Sequence, residues 1–474
     1  MSNPDVLIVG AGPVGLNLGL CLLKQGLSFR IIDKKSGPTT SSNAVGVNCR
    51  TMEVWESLGF IDEAIKRGLK VHGTSLYSDS ELLNQVKFDL IESKHDFMLA
   101  LPQAHTEKLL LEELAKNGIT VDWEHELTSI NQSPEGVTVA IKHNEKDDEF
   151  SYRWVVGCDG YRSSVRDLSG LTRACHDLPL HFLMVDAEVS GEISTSTVNI
   201  LFHDKGMIFM IPMRDSIRVV VEISTDEEYK HLKTCEPDIF REIVAKRYPK
   251  INIGRVDWSS AFYIHECLAD NYRNGRIFIT GDASHTHSPM GGQGMNTGIQ
   301  DTWNLAWKLG QVKRGEAADT FLDSYSLERR AIGHDVLERS GKLTTMATTT
   351  NPILKRLRNF GIHHLADWDI VRSKVANGLS QSNICYENSP LVKHDQVRKS
   401  GQLKYPEYQG NKWTLLALND SKDQLPSYVQ IVSVKQLPLH AHYCLIRPDG
   451  YTAMYANDIT EILEYFRKNH FNLK

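Results

Sequence analysis

Residues 5–33 constrain this chain more than any other stretch. Asp5 to Val9 reads as a short, continuously apolar strand of the kind buried in parallel sheets. Gly10-x-Gly12-x-x-Gly15 follows, and a helix is expected from about Pro13, because proline suits a first helical turn. Val14, Leu18, Cys21 and Leu22 give that helix one apolar face, and Gly26 is its expected stop. Phe29 to Ile32 is a second strand, ending at Asp33. A strand, a glycine loop, a helix and an acidic residue after the next strand together predict a dinucleotide site. Small residues let backbone approach a pyrophosphate, and the helix start offers free N–H groups with a positive partial charge. Asp33, with Lys34 beside it, stands where a ribose is expected. Gly10, Gly12, Pro13, Val14, Gly15, Asp33 and Lys34 are therefore candidate cofactor-binding residues, and the loop alone leaves FAD and NAD as alternatives.

The chain has 474 residues, enough for about two to four domains with real cores. Its formal net charge of -6 does not point to nucleic acid, whose partners usually carry a basic patch. The eight cysteines are scattered, and none forms a Cys-x-x-Cys pair. That spacing predicts no zinc site, no redox dithiol motif and no disulfide framework, and a cytoplasmic location follows as the expectation. No signal-peptide layout and no apolar run of about 18 residues is seen, so no transmembrane segment is expected.

Helices are expected at 51–58, 107–116 and 297–309, and buried strands at 137–141, 154–156 and 276–280. Between residues 171 and 265 the pattern turns to strand-like alternation, best at 198–202, 207–211 and 217–223. This predicts a mainly antiparallel sheet domain inserted into an α/β Rossmann-like domain. Thr344 to Thr350 reads as a linker or a helix-capping loop without function. Strands return at 414–417, 429–434 and 443–446, and a helix at 459–468 ends the chain.

Two more motifs bear on the cofactor. One is Gly157-Cys158-Asp159-Gly160-Tyr161-Arg162-Ser163-Ser164-Val165-Arg166. The other is Gly281-Asp282-Ala283-Ser284-His285, running through Pro289-Met290-Gly291-Gly292-Gln293-Gly294-Met295-Asn296 to Asp301. At these residues the sequence resembles the group A flavoprotein aromatic hydroxylases, the family of p-hydroxybenzoate and phenol hydroxylases. Arg50-Thr51-Met52-Glu53, the Pro102-Gln103 step, Asn304 to Leu309 and Arg447-Pro448-Asp449-Gly450-Tyr451 extend the resemblance over nearly the whole chain.

The resemblance implies FAD as cofactor and NADH or NADPH as transient reductant. It implies that Asp282 binds ribityl hydroxyls, that the Asp159 motif serves the FAD pyrophosphate and the reductant, and that Arg166 pairs with Asp159. Arg50 and Gln103 are further candidate FAD contacts. Pro289, Gly281, Gly292 and Gly294 belong to loops that let backbone approach the ring. Free N–H groups of Met295 and Asn296 at a helix start suit the negative charge of reduced flavin. His285 reads as a structural part of its motif. His287 is a tempting base, but no third ligand stands near the pair to suggest a metal. Asn43 stands where family members commonly have arginine, and no residue is assigned a catalytic role.

The organisation implied is an FAD-binding domain from residues 1–170 and 266–391, an inserted substrate sheet at 171–265, and a thioredoxin-like C-terminal α/β domain at 392–474. The activity implied is hydroxylation of a phenolic or polyketide-like ring with O2 through a C4a-hydroperoxyflavin. Phe202, Phe209, Ile211 and Met213 are pocket candidates on strand pattern alone. Three alternatives stay open: inactivation of an antibiotic such as tetracycline or rifamycin, an FAD dehydrogenase or oxidase, and a flavin-binding sensor without turnover. A homodimer is a further possibility.

Overall fold

The computed structural model describes residues 3–40, 44–78, 81–91, 93–223, 235–288, 292–347, 349, 351–365, 369–387, 389–393, 410–418 and 425–472. The chain opens with β1 (Val6–Val9), α1 (Pro13–Gln25) and β2 (Phe29–Asp33) and returns to the same sheet with β3 (Trp154–Gly157). It leaves along β4 (Arg173–Gly191), comes back along β5 (Ile251–Ala269), and re-enters the first sheet with β6 (Ile277–Ile279). Two long helices follow, α2 (Gly294–Lys313) and α3 (Asp323–Ala347).

The first sheet has six strands, with β6, β3, β1 and β2 side by side and parallel. Each of these four strands is rich in Val and Ile, as a strand covered on both faces requires. α1 packs on the sheet through Leu18, Cys21 and Leu22, all fully buried. It ends where Gly26 turns left-handed at φ 72° and returns its N–H to the Leu22 and Leu23 carbonyls.

The second sheet has eight strands. β4 and β5 lie antiparallel at its heart, flanked on one side by Ile217–Ile223, Ile208–Pro212 and Val198–Phe202. This is the mainly antiparallel sheet expected from the alternation. It is not confined to residues 171–265, however. Gly73–Ser78 pairs in parallel with Val198–Phe202, and Glu81–Lys87 extends the edge. Residues from the first half of the chain thus complete the sheet, a partnership that no local pattern announces. One face of the sheet is closed by the helix Pro237–Arg247, with Val219, Val221, Ile208 and Phe240 in the shared core.

The Thr-rich stretch begins as helix rather than linker: α3 runs to Ala347, and the Thr344 hydroxyl reaches Ser288 Oγ at 2.9 Å. Expectations for Thr348 and Thr350 lie outside the described residues. The C-terminal segment forms a four-stranded mixed sheet with the helix Ile459–Lys468. Trp413, Phe466 and Phe471 join it to the core of the first domain. The sequence reading of no disulfide is corrected here. Cys175 and Cys267 are 92 residues apart, but β4 and β5 place them opposite one another and they are bonded. Among the described residues no helix is long and apolar enough to cross a membrane, and no cluster of three or more His, Cys, Asp or Glu could hold a metal.

A buried ion cluster joins the C-terminal segment to α2 and α3. Glu328 receives two bonds from Arg447, at 2.7 and 2.8 Å, one from Lys308 at 2.8 Å and one from Asn304 at 2.7 Å. Arg447 also pairs with Asp449 at 2.6 Å. Burial alone would raise the Glu328 carboxyl, but Arg447 and Lys308 outweigh it and hold the group well below the usual carboxylate range. Burial pulls Lys308 down to about 8 against the opposing pull of Glu328. Removing the charge of Glu328 leaves two buried cations short of a partner. We expect Glu328→Gln to lower stability by about 3–5 kcal/mol, read as a shifted urea midpoint; an unchanged midpoint would contradict the cluster's role.

Candidate cofactor and substrate site

The three glycine-flanked motifs meet at the carboxyl ends of β1, β3 and β6, where open α/β sheets place their ligands. Gly10 has φ 104°, and a Cβ there would lie 2.5 Å from the Cys158 carbonyl and 2.8 Å from Asp159 Cα. A Cβ on Gly15 would fall 1.9 Å from the Gly10 carbonyl. The first loop therefore fits against the Asp159 loop only as glycine. Gly12 is different: a Cβ there meets nothing within 4 Å. Its open side faces the start of α1, which has Pro13 at its first turn and no side-chain cap. Free N–H groups beside open space suit a phosphate. Asp33 shapes the loop by accepting from the Ala11 N–H at 2.8 Å and the Lys35 N–H at 2.9 Å. Lys34 is exposed at the strand end.

Val14 ties this loop to the Gly-Asp loop. Built Cβ atoms at Gly281 and Gly298 lie 3.0 and 2.6 Å from Val14 Cγ2, so the valine sits in a notch that only glycines leave open. Asp282 is surrounded by protein, and that burial raises its pKa while His285 pulls it down. The residue is nonetheless exposed to solvent rather than sealed in a packed core.

Asp159 is engaged by its own loop, accepting from Ser163 Oγ at 2.6 Å and the Val165 N–H at 3.1 Å. Burial raises its pKa against those bonds. The expected Arg166–Asp159 pair does not form. Arg166 instead donates to the Tyr161 and Ala283 carbonyls, at 3.2 and 3.1 Å, and pairs with Asp167. It thereby stitches the Asp-Gly loop to the Gly-Asp loop.

α2 starts at Gly294, and its cap residue Gln293 offers no side-chain bond to the first turn. No acidic residue lies in that turn. The N–H groups of Gly294, Met295 and Asn296 thus have no partner within the helix. The Asn296 side chain fixes the helix start to the segment before the helix Cys49–Leu58: Oδ1 accepts from the Asn48 N–H at 3.0 Å, and Nδ2 donates to the Gly46 and Gly292 carbonyls, each at 2.8 Å. Gln103 holds the same segment, accepting from the Ala44 N–H at 3.3 Å and donating to Glu107 at 3.0 Å. Pro289, Gly291 and Asn43 lie outside the described residues.

Arg50 corrects an expectation. Its guanidinium pairs with Glu53 at 2.7 Å, donates to the Asp449 carbonyl at 3.0 Å and lies 4.5 Å from the Tyr451 ring centre. The cation joins the helix Cys49–Leu58 to the C-terminal segment. His285 is held by Asp301, Nε2 to Oδ2 at 2.7 Å, and Arg329 holds the other Asp301 oxygen at 2.6 Å. The structural role expected for His285 agrees with this triad. Asp301 and Arg329 escaped the sequence reading, although Asp301 ends the quoted motif.

One face of the large sheet carries an apolar patch around Phe209. Ile200, Phe209, Val220 and Met184 lie side by side through strand pairing. Ile211 and Met213 pack with Val45 and Ala100 near the start of α2, and Phe202 packs with Met207 and Ile362. The four sequence candidates share one face of the sheet, in separate apolar clusters, and the ion pair of buried Arg218 with Asp186 stands beside Ile211 on that face.

His287 is neutral near pH 7, because burial pulls it down to about 4. Its Nδ1 lies 2.8 Å from the Ser288 carbonyl, and Nε2 has no partner. Folded protein then binds fewer protons here than unfolded protein, whose imidazole titrates near 6.5. Stability should fall as pH drops through this window, by up to about 3 kcal/mol. Urea midpoints of the wild type and His287→Gln at pH 7 and pH 4.5 check this: the substitution flattens the fall, and parallel curves would contradict it.

The donor set fits a flavin dinucleotide: two uncapped helix starts, an open glycine and an exposed carboxylate lie around one site. Comparison with known proteins agrees. The FAD binding domain family matches residues 3–340. The chain is 31% identical over 401 residues to 6-methylpretetramide 4-monooxygenase of Streptomyces rimosus, covering 82% of this chain and 71% of that protein. It is 28% identical to rifampicin monooxygenase of Streptomyces venezuelae, covering 97% of each. Among solved structures it resembles the anhydrotetracycline hydroxylase of Streptomyces rimosus with a TM-score of 0.78 and 26% identity, covering 99% of each chain. The chain therefore belongs to the FAD-binding-domain family of flavoprotein aromatic monooxygenases.

Proposed function

We propose that this FAD-dependent monooxygenase hydroxylates a flat, polycyclic phenol of the polyketide type, with the ring held between the start of α2 and the sheet face that carries Phe209 and Ile211. The observation that carries the reading is the convergence of the three glycine-flanked loops. Asp282 presents its carboxylate there, between two uncapped helix starts. When bound, the cofactor supplies the redox chemistry that couples oxidation of NADH or NADPH to insertion of one atom of O2.

In this reading Gly10, Gly12, Pro13, Val14 and Gly15 hold the pyrophosphate through backbone N–H groups, and Asp33 takes ribose hydroxyls. Asp282 takes ribityl hydroxyls. The N–H groups of Met295 and Asn296 stabilise negative charge on the ring. Gly281, Gly292 and Gly294 keep the approach open, and the sheet face excludes water and orients the substrate. Asp159, through its loop, and Lys34 stand at the pyrophosphate end, and Gln103 supports the segment beside the ring. Residues 392–474 form a thioredoxin-like module without a Cys-x-x-Cys, which serves packing or oligomer contact. A cytoplasmic location and a homodimer belong to the same proposal.

The similarity to a rifampicin monooxygenase along 97% of each chain favours a second reading, in which the substrate is an antibiotic that oxidation inactivates. A panel of simple phenols, polycyclic phenols, a rifamycin and a tetracycline separates the two by substrate-stimulated NADH or NADPH consumption and by a product gain of 16 mass units from labelled O2. Polycyclic phenols should stimulate most. Consumption without labelled product across the panel would sink both readings. Asp282→Ala should weaken FAD binding about 10–100-fold by loss of charge-assisted hydrogen bonds, measured by flavin fluorescence; wild-type affinity would contradict the assignment.

A further inference from the structure

The two strands that join the large sheet to the first domain carry a chemistry that hydroxylation does not use. β4 and β5 are paired along their length with three register shifts, of which the one between Asp177 and His181 lies nearest the first domain. Asp177 faces His265, and the next pair is His181 with Tyr263. Below the break, Arg173 to Asp177 pair with Ala269 to His265 beside the cofactor loops. Above it the strands belong to the large sheet. An unequal step of this kind interrupts the ladder and bends the ribbon, so the break is the natural hinge between the two bodies.

Cys175 and Cys267 stand directly opposite in the lower ladder and are disulfide-bonded. Cys175 is exposed, while Cys267 is 2% exposed. Cys267 also pairs with Thr286, and Leu268 with His285, so the same rung leads into the strand that follows Asp282. The bond closes a loop between positions 92 residues apart, which includes Val198–Phe202, Ile208–Pro212, Ile217–Ile223 and the helix Pro237–Arg247. The other six cysteines are free, and five of them are buried.

We propose that Cys175–Cys267 is a thiol–disulfide site that fastens this hinge, and that an external dithiol opens it. A thiolate of the dithiol attacks the exposed Cys175 sulfur. The Cys175–Cys267 bond breaks, a mixed disulfide forms on Cys175, and Cys267 leaves as a thiolate and takes a proton. The second thiol of the reductant then attacks the mixed disulfide, releases Cys175 as a thiol and closes the reductant's own disulfide. Two electrons enter the protein and the dithiol is oxidised. With the bond open, the covalent tie across the lower ladder is gone, its backbone pairing and contacts such as Arg173 on Tyr161 remain, and the sheet face around Phe209 gains freedom to move against the start of α2. The redox poise of the surroundings thereby acts on the pocket without touching a residue of the site.

The test uses the full-length, FAD-loaded protein with and without dithiothreitol. Alkylation after denaturation should count six thiols before reduction and eight after. Trypsin cleavage between β4 and β5 should be about fivefold faster in the reduced form, and its melting temperature lower by about 5 °C. The double variant Cys175→Ser, Cys267→Ser should match the reduced protein and ignore dithiothreitol. Eight thiols in protein purified without reductant and then exposed to oxidised glutathione would overturn the proposal. So would equal cleavage and melting of the two forms once the thiol count shows that the bond has opened. Bound FAD, followed by its absorbance, reports separately on the cofactor site; loss of FAD from every form bears on that site and not on the hinge.

Discussion

Val14 sits between Gly281 and Gly298, and the rest of the site depends on that contact. The glycine loop, the Gly-Asp loop and α2 come from three distant parts of the chain. They can converge only if their backbones approach more closely than side chains allow. Val14 fills the notch, Gly10 meets the Asp159 loop, and Gly15 folds against Gly10. Close packing at a junction of this kind leaves little room for adjustment. The reward is two free helix starts and one exposed carboxylate brought around a single site.

Charge is arranged in two tiers around that junction. The inner tier is left open, with uncapped N–H groups and Asp282. The outer tier is closed upon itself: Asp301 holds His285 and Arg329, while Glu328 gathers Arg447 and Lys308. Both closed clusters hang on α2 or on α3 beside it. They set the direction of α2 from behind, so that its start points to the site. The C-terminal segment contributes Arg447 and Asp449 to this support.

Much of this was legible in the sequence because the signals were local. A loop that must pass close to a phosphate needs glycine at fixed steps, and the strands and helices around it carry their own periodicity. Strands 198–202 and 217–223 and the helix 459–468 were read at the bounds the structure gives them. Several of the misses share one cause, which is distance along the chain. Gly73–Ser78 joins the large sheet through a partner more than a hundred residues away. Cys175 finds Cys267 only through the register of two long strands. Arg50 and Arg166 were read as serving nearby phosphate and carboxylate groups. They turn instead to Tyr451 and Ala283, neighbours that exist only once the chain is folded.

The convergence of the three loops is the central claim, and the Val14 notch is where it is most exposed to test. A Cβ on Gly298 would lie 2.6 Å from Val14 Cγ2 and 3.0 Å from Gly281 Cα. Flavin fluorescence titration of Gly298→Ala should show FAD affinity reduced by about 5–100-fold, the equivalent of about 1–3 kcal/mol of overpacking. Adding Val14→Ala should restore part of it by vacating the notch. Wild-type affinity in Gly298→Ala, or no recovery in the double variant, would mean that the loops do not meet as described.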